Sequence, residues 1–326
     1  MSKAFVFHRH GGPDVLRYED VPVGEPGRGE VRIRNRAVAV NYRDVLIRRG
    51  VHAVKSLPSG IGIESAGVIE AVGPDVSGLA VGDRVACVSA PDGAYAERRV
   101  ASAERVIPLP PKIDERTAAA MMIRGMTARY LLKETYRVRP GDPILIHAAA
   151  GGVGLIVCQW AKYLGATVIG TVSSEAKAAL ARRFGCDHPI IYGQDDFVAR
   201  VRAITEGEGV PVVYDSVGKA TFEGSLKCLR RRGILASFGE ASGDPDPVPP
   251  RRLGQLGSLY VTHPSLGDYT ATREQLLETA NDLFAMVLGG TIRIDISRTY
   301  PLAQAPRAHA DLESRATTGS IVLTVP

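Results

Sequence analysis

The fold is decided by the stretch Ile144-Leu145-Ile146-His147-Ala148-Ala149-Ala150-Gly151-Gly152-Val153-Gly154, in which an apolar strand enters a glycine turn and then a helix. The spacing Ala149-x-Gly151-x-x-Gly154 follows the G-x-G-x-x-G pattern of dinucleotide-binding turns, with alanine in the first place. Apolar residues recur at helical spacing beyond the turn, so one helix face is predicted to pack on a sheet. Backbone N–H groups at the helix start would then point at phosphates. Glycine-rich turns without a ligand share this spacing, so the flanking sequence has to decide.

Strand and helix patterns alternate from Pro143 onward, after a helix over Thr117–Leu132 that Asp114 is predicted to cap. The alternating elements are Ile144–Ala149, Gly152–Leu164, Thr167–Val172, Glu175–Phe184, Pro189–Tyr192, Phe197–Thr205, Val210–Asp215, Phe222–Arg231, Ile234–Phe238 and Ser258–Thr262. This order predicts a parallel sheet of six strands with helices on both faces.

The first 111 residues are strand-like and broken by glycine and proline, which predicts a β-rich unit with one short helix at Tyr42–Arg49. Its predicted strands are Ala4–Phe7, Glu30–Val40, Gly67–Val72, Arg84–Val88 and Tyr95–Val100. The tail carries a helix at Arg273–Leu288, a strand at Ile292–Ile296, a helix near Ala305–Leu312 and a strand at Ser320–Val325. We expect the tail to return to the first domain, giving domains 1–123 with 266–326 and 124–265. A ligand cleft is expected at the carboxyl ends of the parallel strands.

Composition is that of an ordinary globular protein of 326 residues, with 45% hydrophobic and 23% charged residues. No apolar run reaches the ~18 residues of a membrane span and no signal peptide is visible, so we expect a cytoplasmic protein without a membrane partner. Four cysteines without C-x-x-C pairing predict neither disulfides nor structural zinc.

The formal charge of +5 permits nucleic-acid binding, but the cations are spread along the chain. The densest run, Arg230-Arg231-Arg232, is interpreted as a solvated helix end.

Several motifs together resemble one family of enzymes. They are Gly62-x-Glu64-x-x-Gly67-x-Ile69, Gly82-Asp83-Arg84-Val85, the glycine turn, Val213-Tyr214-Asp215-Ser216-Val217-Gly218 and Leu312-Glu313-Ser314-Arg315-Ala316-Thr317. The chain resembles the medium-chain dehydrogenase/reductases, and within them the zinc-free, zeta-crystallin-like NADPH:quinone oxidoreductases. This resemblance implies a GroES-like β-rich catalytic domain joined to a Rossmann domain with a doubly wound parallel sheet of six strands.

The ligands of the catalytic zinc in related alcohol dehydrogenases are missing from the matching segments. Those enzymes use a cysteine in the early helix, a Gly-His-Glu and a cysteine before the domain junction. The segments here read Val40-Asn41-Tyr42-Arg43-Asp44, Gly62-Ile63-Glu64 and Met121-Met122-Ile123-Arg124. A zinc site needs about three protein ligands, so we predict no metal. A substrate that accepts hydride readily, such as a quinone or an enone, is therefore expected.

The cofactor is predicted from the residues after the glycine turn. NAD-preferring folds place an acid roughly 20 residues beyond the turn, whereas this chain reads Gly170-Thr171-Val172-Ser173-Ser174 with Lys177 close behind. Hydroxyls and an ammonium suit the 2′-phosphate of NADPH, and the resemblance adds Tyr192 and Arg315 beside it. The remaining predicted cofactor contacts are Gly151, Gly152, Val153 and Gly154 at the turn.

The reacting end is assigned from the resemblance. The nicotinamide is expected near Asn41, Tyr42, Arg43, Asp44 and Thr127, with Ser216, Phe238, Thr262 and His263 along its route. Asn41, Asp44, His52 and Arg124 are the candidate catalytic residues. Asn41 can donate to and accept from a carboxamide or quinone oxygen. Asp44 could instead contact Arg43 or Arg48 in a structural role. Arg124 could instead form an interdomain salt bridge. His52 is either a proton donor or a solvated loop residue. Leu46 and His52 lie where relatives often carry tyrosines, so the shape of the substrate pocket is not predicted from the sequence.

We expect a homodimer paired through its sixth strand, and three functions remain for it. The first is NADPH-dependent quinone reduction, in which the cofactor carries the chemistry and the protein positions the acceptor. The second is reduction of an enone or enoyl thioester, for which Tyr42 could serve as the acid. The third is a crystallin-like NADPH- and RNA-binding protein with little turnover.

Overall fold

The chain folds into two compact units in the computed structural model, which describes residues 1–88 and 93–326. Unit 1 comprises Met1–Ile123, Thr272–Leu288 and Ile294–Pro326, and unit 2 comprises Arg124–Ala271 and Gly289–Arg293. The domain bounds given above stay a prediction.

Unit 1 is built mainly from antiparallel strands. Its strands are β1 (Ser2–Phe7), β2 (Leu16–Val21), β3 (Glu30–Val40), β4 (Ser59–Gly60), β5 (Glu64–Val72), β6 (Arg84–Val88), β7 (Arg98–Ser102), β8 (Val106–Pro108), β15 (Ile296–Pro301) and β16 (Ser320–Thr324). They form a sheet in the order β2-β1-β4 and a second in the order β15-β16-β3-β5-β6-β8, with β7 paired to β3. The helices are α1 (Tyr42–Arg49), α9 (Arg273–Leu288), α10 (Ala305–Glu313) and the first part of α2 (Glu115–Tyr130).

Unit 2 contains one parallel sheet. Its strands are β9 (Pro143–Ile146), β10 (Thr167–Val172), β11 (His188–Ile191), β12 (Val210–Asp215), β13 (Leu229–Ser237) and β14 (Tyr260–Thr262), and its helices are α3 (Gly152–Tyr163), α4 (Glu175–Arg183), α5 (Phe197–Ile204), α6 (Phe222–Cys228), α7 (Pro250–Gln255) and α8 (Leu266–Tyr269). The order β11-β10-β9-β12-β13-β14 is the 3-2-1-4-5-6 order of a dinucleotide-binding sheet. Strand order therefore reverses between β9 and β12, where such sheets bind ligands.

Local sequence explains the elements that matter for the site. Asn41 and Asp44 form a capping box at the start of α1, and Gly50 ends that helix in the left-handed conformation (φ 81°). The Asp114 carboxylate accepts hydrogen bonds from the backbone N–H and the hydroxyl of Thr117, at 2.9 and 2.8 Å. The predicted cap of α2 is thus confirmed.

The predicted end of one helix is wrong, and two predicted strands are displaced. Residues 229–231 begin β13 instead of ending a helix, because Leu229 pairs with Val210 of β12, so Arg230-Arg231-Arg232 is an exposed strand segment. The predicted strand Ile292–Ile296 lies too early, since β15 starts at Ile296, where pairing with β16 begins. The strand predicted at Tyr95–Val100 lies at Arg98–Ser102. In each case long-range strand pairing overrides a local pattern.

Within residues 1–88 and 93–326, no helix combines the length and the apolar character needed to span a membrane.

Candidate cofactor and substrate site

The glycine turn connects β9 directly to α3. Gly151 precedes the helix with an extended backbone (φ −82°, ψ 173°), and its N–H donates to the Ala148 carbonyl at 2.8 Å. Ala148 itself adopts a positive φ of 53°. A Cβ on Gly154 would lie 2.4 Å from the Ala148 carbonyl oxygen and 2.8 Å from backbone atoms of Ala149. Only glycine fits at this position, so the helix start can approach the turn closely, as a pyrophosphate cradle requires.

The segment after β10 presents hydroxyls to the start of α4. Ser173 is exposed, and the Ser174 hydroxyl caps the helix by accepting from the Lys177 backbone N–H at 3.3 Å. The acid of this first turn, Glu175, forms an ion pair with Arg182 at 3.3 Å. The strand end therefore offers hydroxyls, backbone N–H groups and a nearby ammonium, a donor set that suits an anion.

A buried polar network lies beside the glycine turn. The imidazole Nδ1 of His147 lies 2.8 Å from the Thr171 hydroxyl and 3.0 Å from the Tyr192 hydroxyl, and its Nε2 lies 2.9 Å from the Ser225 hydroxyl. Burial lowers the pKa of His147, which outweighs the opposing effect of Asp215. The imidazole is thus neutral, and its 4.0 Å approach to the Asp215 carboxylate is not an ion pair. His147 is thus a hydrogen-bonded core residue.

The end of β12 shapes a second turn. The Asp215 carboxylate accepts from the backbone N–H groups of Val217 and Gly218, at 2.8 and 3.1 Å. These bonds fix the backbone on both sides of Ser216, which is half-buried. Phe238 follows β13, and its N–H donates to the Asp215 carbonyl at 2.8 Å. Ser216 and Phe238 thus lie at the carboxyl ends of neighbouring strands.

The other predicted residues of unit 2 lie on β14 and α2. Thr262 ends β14 and is half-buried, whereas His263 is exposed. Arg124 and Thr127 are buried on α2. Burial raises the pKa of Tyr130, one turn beyond Thr127, while a hydrogen bond with the Thr127 hydroxyl lowers it.

In unit 1, Asn41 and Glu64 form a buried pair. The Asn41 side-chain amide donates to Glu64 Oε2 at 3.0 Å, and the Ile123 backbone N–H donates to Glu64 Oε1 at 2.7 Å. Asp44 Oδ2 accepts from the Asn41 backbone N–H at 2.8 Å. Asp44 therefore holds the backbone of Asn41, and Glu64 holds its side chain. Sequence analysis placed Glu64 only within a motif and missed its role as the acceptor for Asn41.

A longer buried network extends from Asp44 to α10. The Tyr95 hydroxyl donates to Asp44 Oδ2 at 2.9 Å and lies 3.0 Å from His309 Nε2. The Arg48 guanidinium lies 3.5 Å from His309 Nδ1 and donates to Glu313 at 2.8 Å. Because Tyr95 donates to Asp44 and Arg48 can only donate, His309 carries its proton on Nε2. Asp44 is fully buried, and nothing in the sequence spacing predicted its partner Tyr95 or the link through Tyr95 to His309.

The remaining candidates of unit 1 are more accessible. Tyr42 and His52 are half-buried, as is Leu46, while Arg43 and Arg315 are exposed. Arg315 has a positive φ of 58° immediately beyond α10. Their predicted contacts with cofactor and substrate stay predictions.

His309 makes stability depend on pH. Burial, with the Arg48 charge as second cause, lowers its pKa from 6.5 to about 3. Between pH 6.5 and about 3, His309 is protonated in the unfolded chain but neutral in the folded chain. The contribution of His309 to the free energy of unfolding is therefore present above pH 6.5 and is lost as pH falls toward 3. We expect His309 to contribute up to ~1.4 kcal/mol per pH unit to the slope of the free energy of unfolding. Urea unfolding of wild type and His309→Gln between pH 7 and pH 5 measures it, and equal slopes would refute this assignment.

Comparison with known proteins identifies the family. Residues 27–111 match the alcohol dehydrogenase GroES-like domain, and residues 152–282 match the model described as zinc-binding dehydrogenase. A quinone oxidoreductase of Pseudomonas aeruginosa is 51% identical over 99% of both chains. The chain belongs to the quinone oxidoreductase family of medium-chain dehydrogenase/reductases. A crystal structure of Escherichia coli quinone oxidoreductase complexed with NADPH has a TM-score of 0.97 and 46% identity, covering 99% of each chain. A Burkholderia 2-haloacrylate reductase is 47% identical over 99% of both chains.

The predicted GroES-like and Rossmann architecture of this quinone oxidoreductase family member is confirmed by these matches and by the sheet of unit 2. Its residues do not fit a zinc ion at the Asn41–Glu64 pair. Both oxygens of Glu64 accept hydrogen bonds from amides, and an isoleucine precedes it. Among the described residues, no group of three His, Cys, Asp or Glu side chains is placed to hold a metal.

Proposed function

We propose that this protein reduces quinones with NADPH. The observation that carries the proposal is 51% identity, over 99% of both chains, with a quinone oxidoreductase. When bound, NADPH supplies the hydride. The chain's own residues bind, orient and shield the reactants.

The cofactor residues of unit 2 divide by the part of NADPH they suit. The N–H groups of Gly152, Val153 and Gly154 start α3, and the first N–H groups of a helix have no partner within it. They suit the pyrophosphate, with Gly151 forming the turn. Ser173, Lys177 and Tyr192 are proposed at the 2′-phosphate. Ser216, Phe238, Thr262, His263, Arg124 and Thr127 are proposed for the nicotinamide half.

In unit 1, Asn41 is the proposed substrate-orienting residue. Its nitrogen donates to Glu64, so the carbonyl oxygen is fixed at the start of α1 and the amide plane cannot turn freely. Asp44 and Glu64 act through Asn41 by holding its backbone and its side chain. Tyr42, Arg43 and Arg315 are proposed cofactor contacts of the same unit, and His52 is a proposed proton donor to the reduced oxygen.

The test of the proposed function is an acceptor screen with the full chain. NADPH oxidation is followed with benzoquinone, naphthoquinone, phenanthrenequinone, an alkenal and crotonyl thioester. We expect turnover with the quinones at the highest kcat/KM. Turnover with the thioester alone would replace this function by that of an enoyl-thioester reductase. NADPH binding without any turnover would favour the non-catalytic, RNA-binding alternative, for which salt-sensitive RNA retardation is the further check.

A second candidate is reduction of an activated alkene. It is favoured by the 47% identity with the 2-haloacrylate reductase, which equals or exceeds the identity with several quinone oxidoreductases. Adding 2-chloroacrylate to the screen separates the two, because the proposed quinone reductase should oxidise NADPH much faster with naphthoquinone.

A homodimer and a cytoplasmic location stay predictions. The homodimer is supported by β14, an edge strand on which Tyr260 and Val261 are 56% and 38% exposed. Pairing of this edge with a second copy would cover both side chains. Sedimentation of wild type and Val261→Lys tests it, since a monomeric wild type would refute the dimer.

Lys177 is expected to select NADPH over NADH. Lys177→Ala should raise the Kd for NADPH about tenfold and leave the Kd for NADH within roughly twofold, because only NADPH carries the 2′-phosphate. Fluorescence titration of both cofactors measures it. Lys162→Ala is the matched control, since Lys162 is an exposed lysine of unit 2 that pairs with Asp187 at 2.6 Å. Equal losses for NADPH and NADH would remove Lys177 from the phosphate site.

A further inference from the structure

Three polar groups of unit 2 form a closed triangle of hydrogen-bonding distances. Thr171 Oγ1 lies 2.6 Å from the Tyr192 hydroxyl oxygen and 2.8 Å from His147 Nδ1, and the Tyr192 oxygen lies 3.0 Å from the same nitrogen. Thr171 and His147 are almost completely buried. Each of the two hydroxyls can therefore reach His147 Nδ1.

The chemistry of the imidazole makes Nδ1 an acceptor. The Ser225 hydroxyl has the Asp215 carboxylate and the Thr221 carbonyl as acceptors, at 2.8 and 3.0 Å. Whichever one it donates to, its oxygen must accept from His147 Nε2–H at 2.9 Å. A neutral imidazole has one N–H, so Nδ1 carries a lone pair that needs one hydroxyl donor.

Two arrangements satisfy this lone pair. In the first, Thr171 donates to Tyr192 and Tyr192 donates to His147. In the second, Thr171 donates to His147 directly, and the single O–H of Tyr192 is released. The two hydroxyls have two hydrogens between them, whereas the lone pair of His147 Nδ1 needs only one. The hydroxyl of Tyr192 can therefore donate to an acceptor outside the triangle.

The position of Tyr192 indicates which acceptor this is. Val172 of β10 pairs with Ile191 of β11, so Ser173 and Tyr192 are the next neighbours beyond the strand ends. The Tyr192 backbone N–H donates to the Val172 carbonyl at 2.9 Å. Tyr192 therefore adjoins the Ser173–Lys177 segment, whose hydroxyls and ammonium suit a phosphate.

We propose that Thr171 is a positioning residue for cofactor selection: by donating to His147 it frees the Tyr192 hydroxyl to donate to the 2′-phosphate of NADPH. This inference rests on the proposed use of NADPH and deepens it. NADH lacks the phosphate, so with NADH the first arrangement persists at no cost. Without the Thr171 hydroxyl, the Tyr192 hydroxyl can donate either to the phosphate or to His147 Nδ1. Donation to the phosphate then leaves the buried lone pair of His147 without a hydrogen bond.

The test compares Kd values for NADPH and NADH in wild type, Thr171→Val, Thr171→Ser, Tyr192→Phe and the Thr171→Val/Tyr192→Phe double variant. Valine keeps the shape of threonine, and Tyr192 can still donate to His147, so the fold should tolerate it; thermal unfolding checks this. We expect Thr171→Val to weaken NADPH binding about tenfold with NADH within roughly twofold, and Thr171→Ser to retain the wild-type ratio. The double variant should lose no more selectivity than Tyr192→Phe alone.

Several results would overturn the inference. If Thr171→Val weakens both cofactors equally, Thr171 is merely structural. If Thr171→Val leaves the ratio unchanged while Tyr192→Phe lowers it, Tyr192 contacts the phosphate without help from Thr171. An unchanged ratio in Tyr192→Phe would remove the tyrosine from the phosphate site. Failure of the proposed function is recognised separately, since wild type would then show no preference for NADPH.

Discussion

Replacing Gly154 with alanine is expected to weaken NADPH binding by about 100-fold and to destabilise unit 2 by ~1–3 kcal/mol. The added methyl would lie 2.4 Å from the Ala148 carbonyl oxygen and 2.8 Å from Ala149 backbone atoms, and backbone cannot rotate aside as a side chain can. Helix α3 must then move from the turn. Loss of one hydrogen bond to a charged phosphate oxygen, at ~1.5–3 kcal/mol, accounts for a loss of affinity of this size.

Gly254→Ala is the matched control for this change. Gly254 lies in α7 of the same unit, and an added Cβ would meet nothing within 4 Å. Alanine there should leave NADPH affinity unchanged and stabilise the helix by up to ~1 kcal/mol. Calorimetric titration and urea unfolding measure both variants. Gly154→Ala with wild-type affinity would show that the turn is not the phosphate cradle.

Arg48→Met is expected to lower the free energy of unfolding by about 3 kcal/mol, the largest stability effect of a charged residue in unit 1 that we predict. The Arg48 side chain is 0% exposed and pairs with Glu313 at 2.8 Å, and it also faces His309 Nδ1. Removing it leaves the Glu313 carboxylate, 13% exposed, without its buried partner and leaves the imidazole nitrogen without a donor.

Arg49→Met tests the same carboxylate from the solvent side. Arg49 pairs with Glu313 at 2.5 Å, but its side chain is 50% exposed, so its loss should cost only ~0–1 kcal/mol. Urea unfolding at pH 7 compares the two variants directly. If both cost the same, burial does not determine the strength of the ion pairs with Glu313.

Much of the fold followed from local sequence. Periodicity and turn residues predicted α1 and β12 with the bounds observed, because Tyr42–Arg49 carries its own capping box and Val210–Asp215 is a short apolar run between turns. Predictions failed at the start of β13 and at β15. The Leu229-Arg230-Arg231 segment is compatible with a helix, and only its pairing with β12 makes it a strand. Such pairing joins residues far apart in sequence and leaves no periodic signal.

The site could be predicted from the sequence only where its residues are consecutive in the chain. The glycine turn and the hydroxyl-rich end of β10 are two such segments. The network around Asp44 could not be predicted in this way, because Tyr95 lies 51 residues from Asp44 in sequence and His309 lies 214 residues from Tyr95. A buried histidine in an amphipathic helix such as α10 gives no sign of whether it acts as core or as part of a polar network. The triangle of Thr171, Tyr192 and His147 could not be predicted either, because its three residues are also far apart in sequence.

The central claim, that this chain is an NADPH-dependent quinone reductase, is tested most directly by its steady-state oxidation of NADPH and NADH with naphthoquinone as acceptor. We expect NADPH to be consumed in step with quinone reduction, with a kcat/KM for NADPH at least about tenfold above that for NADH. Absence of NADPH oxidation by the folded protein with naphthoquinone would contradict it.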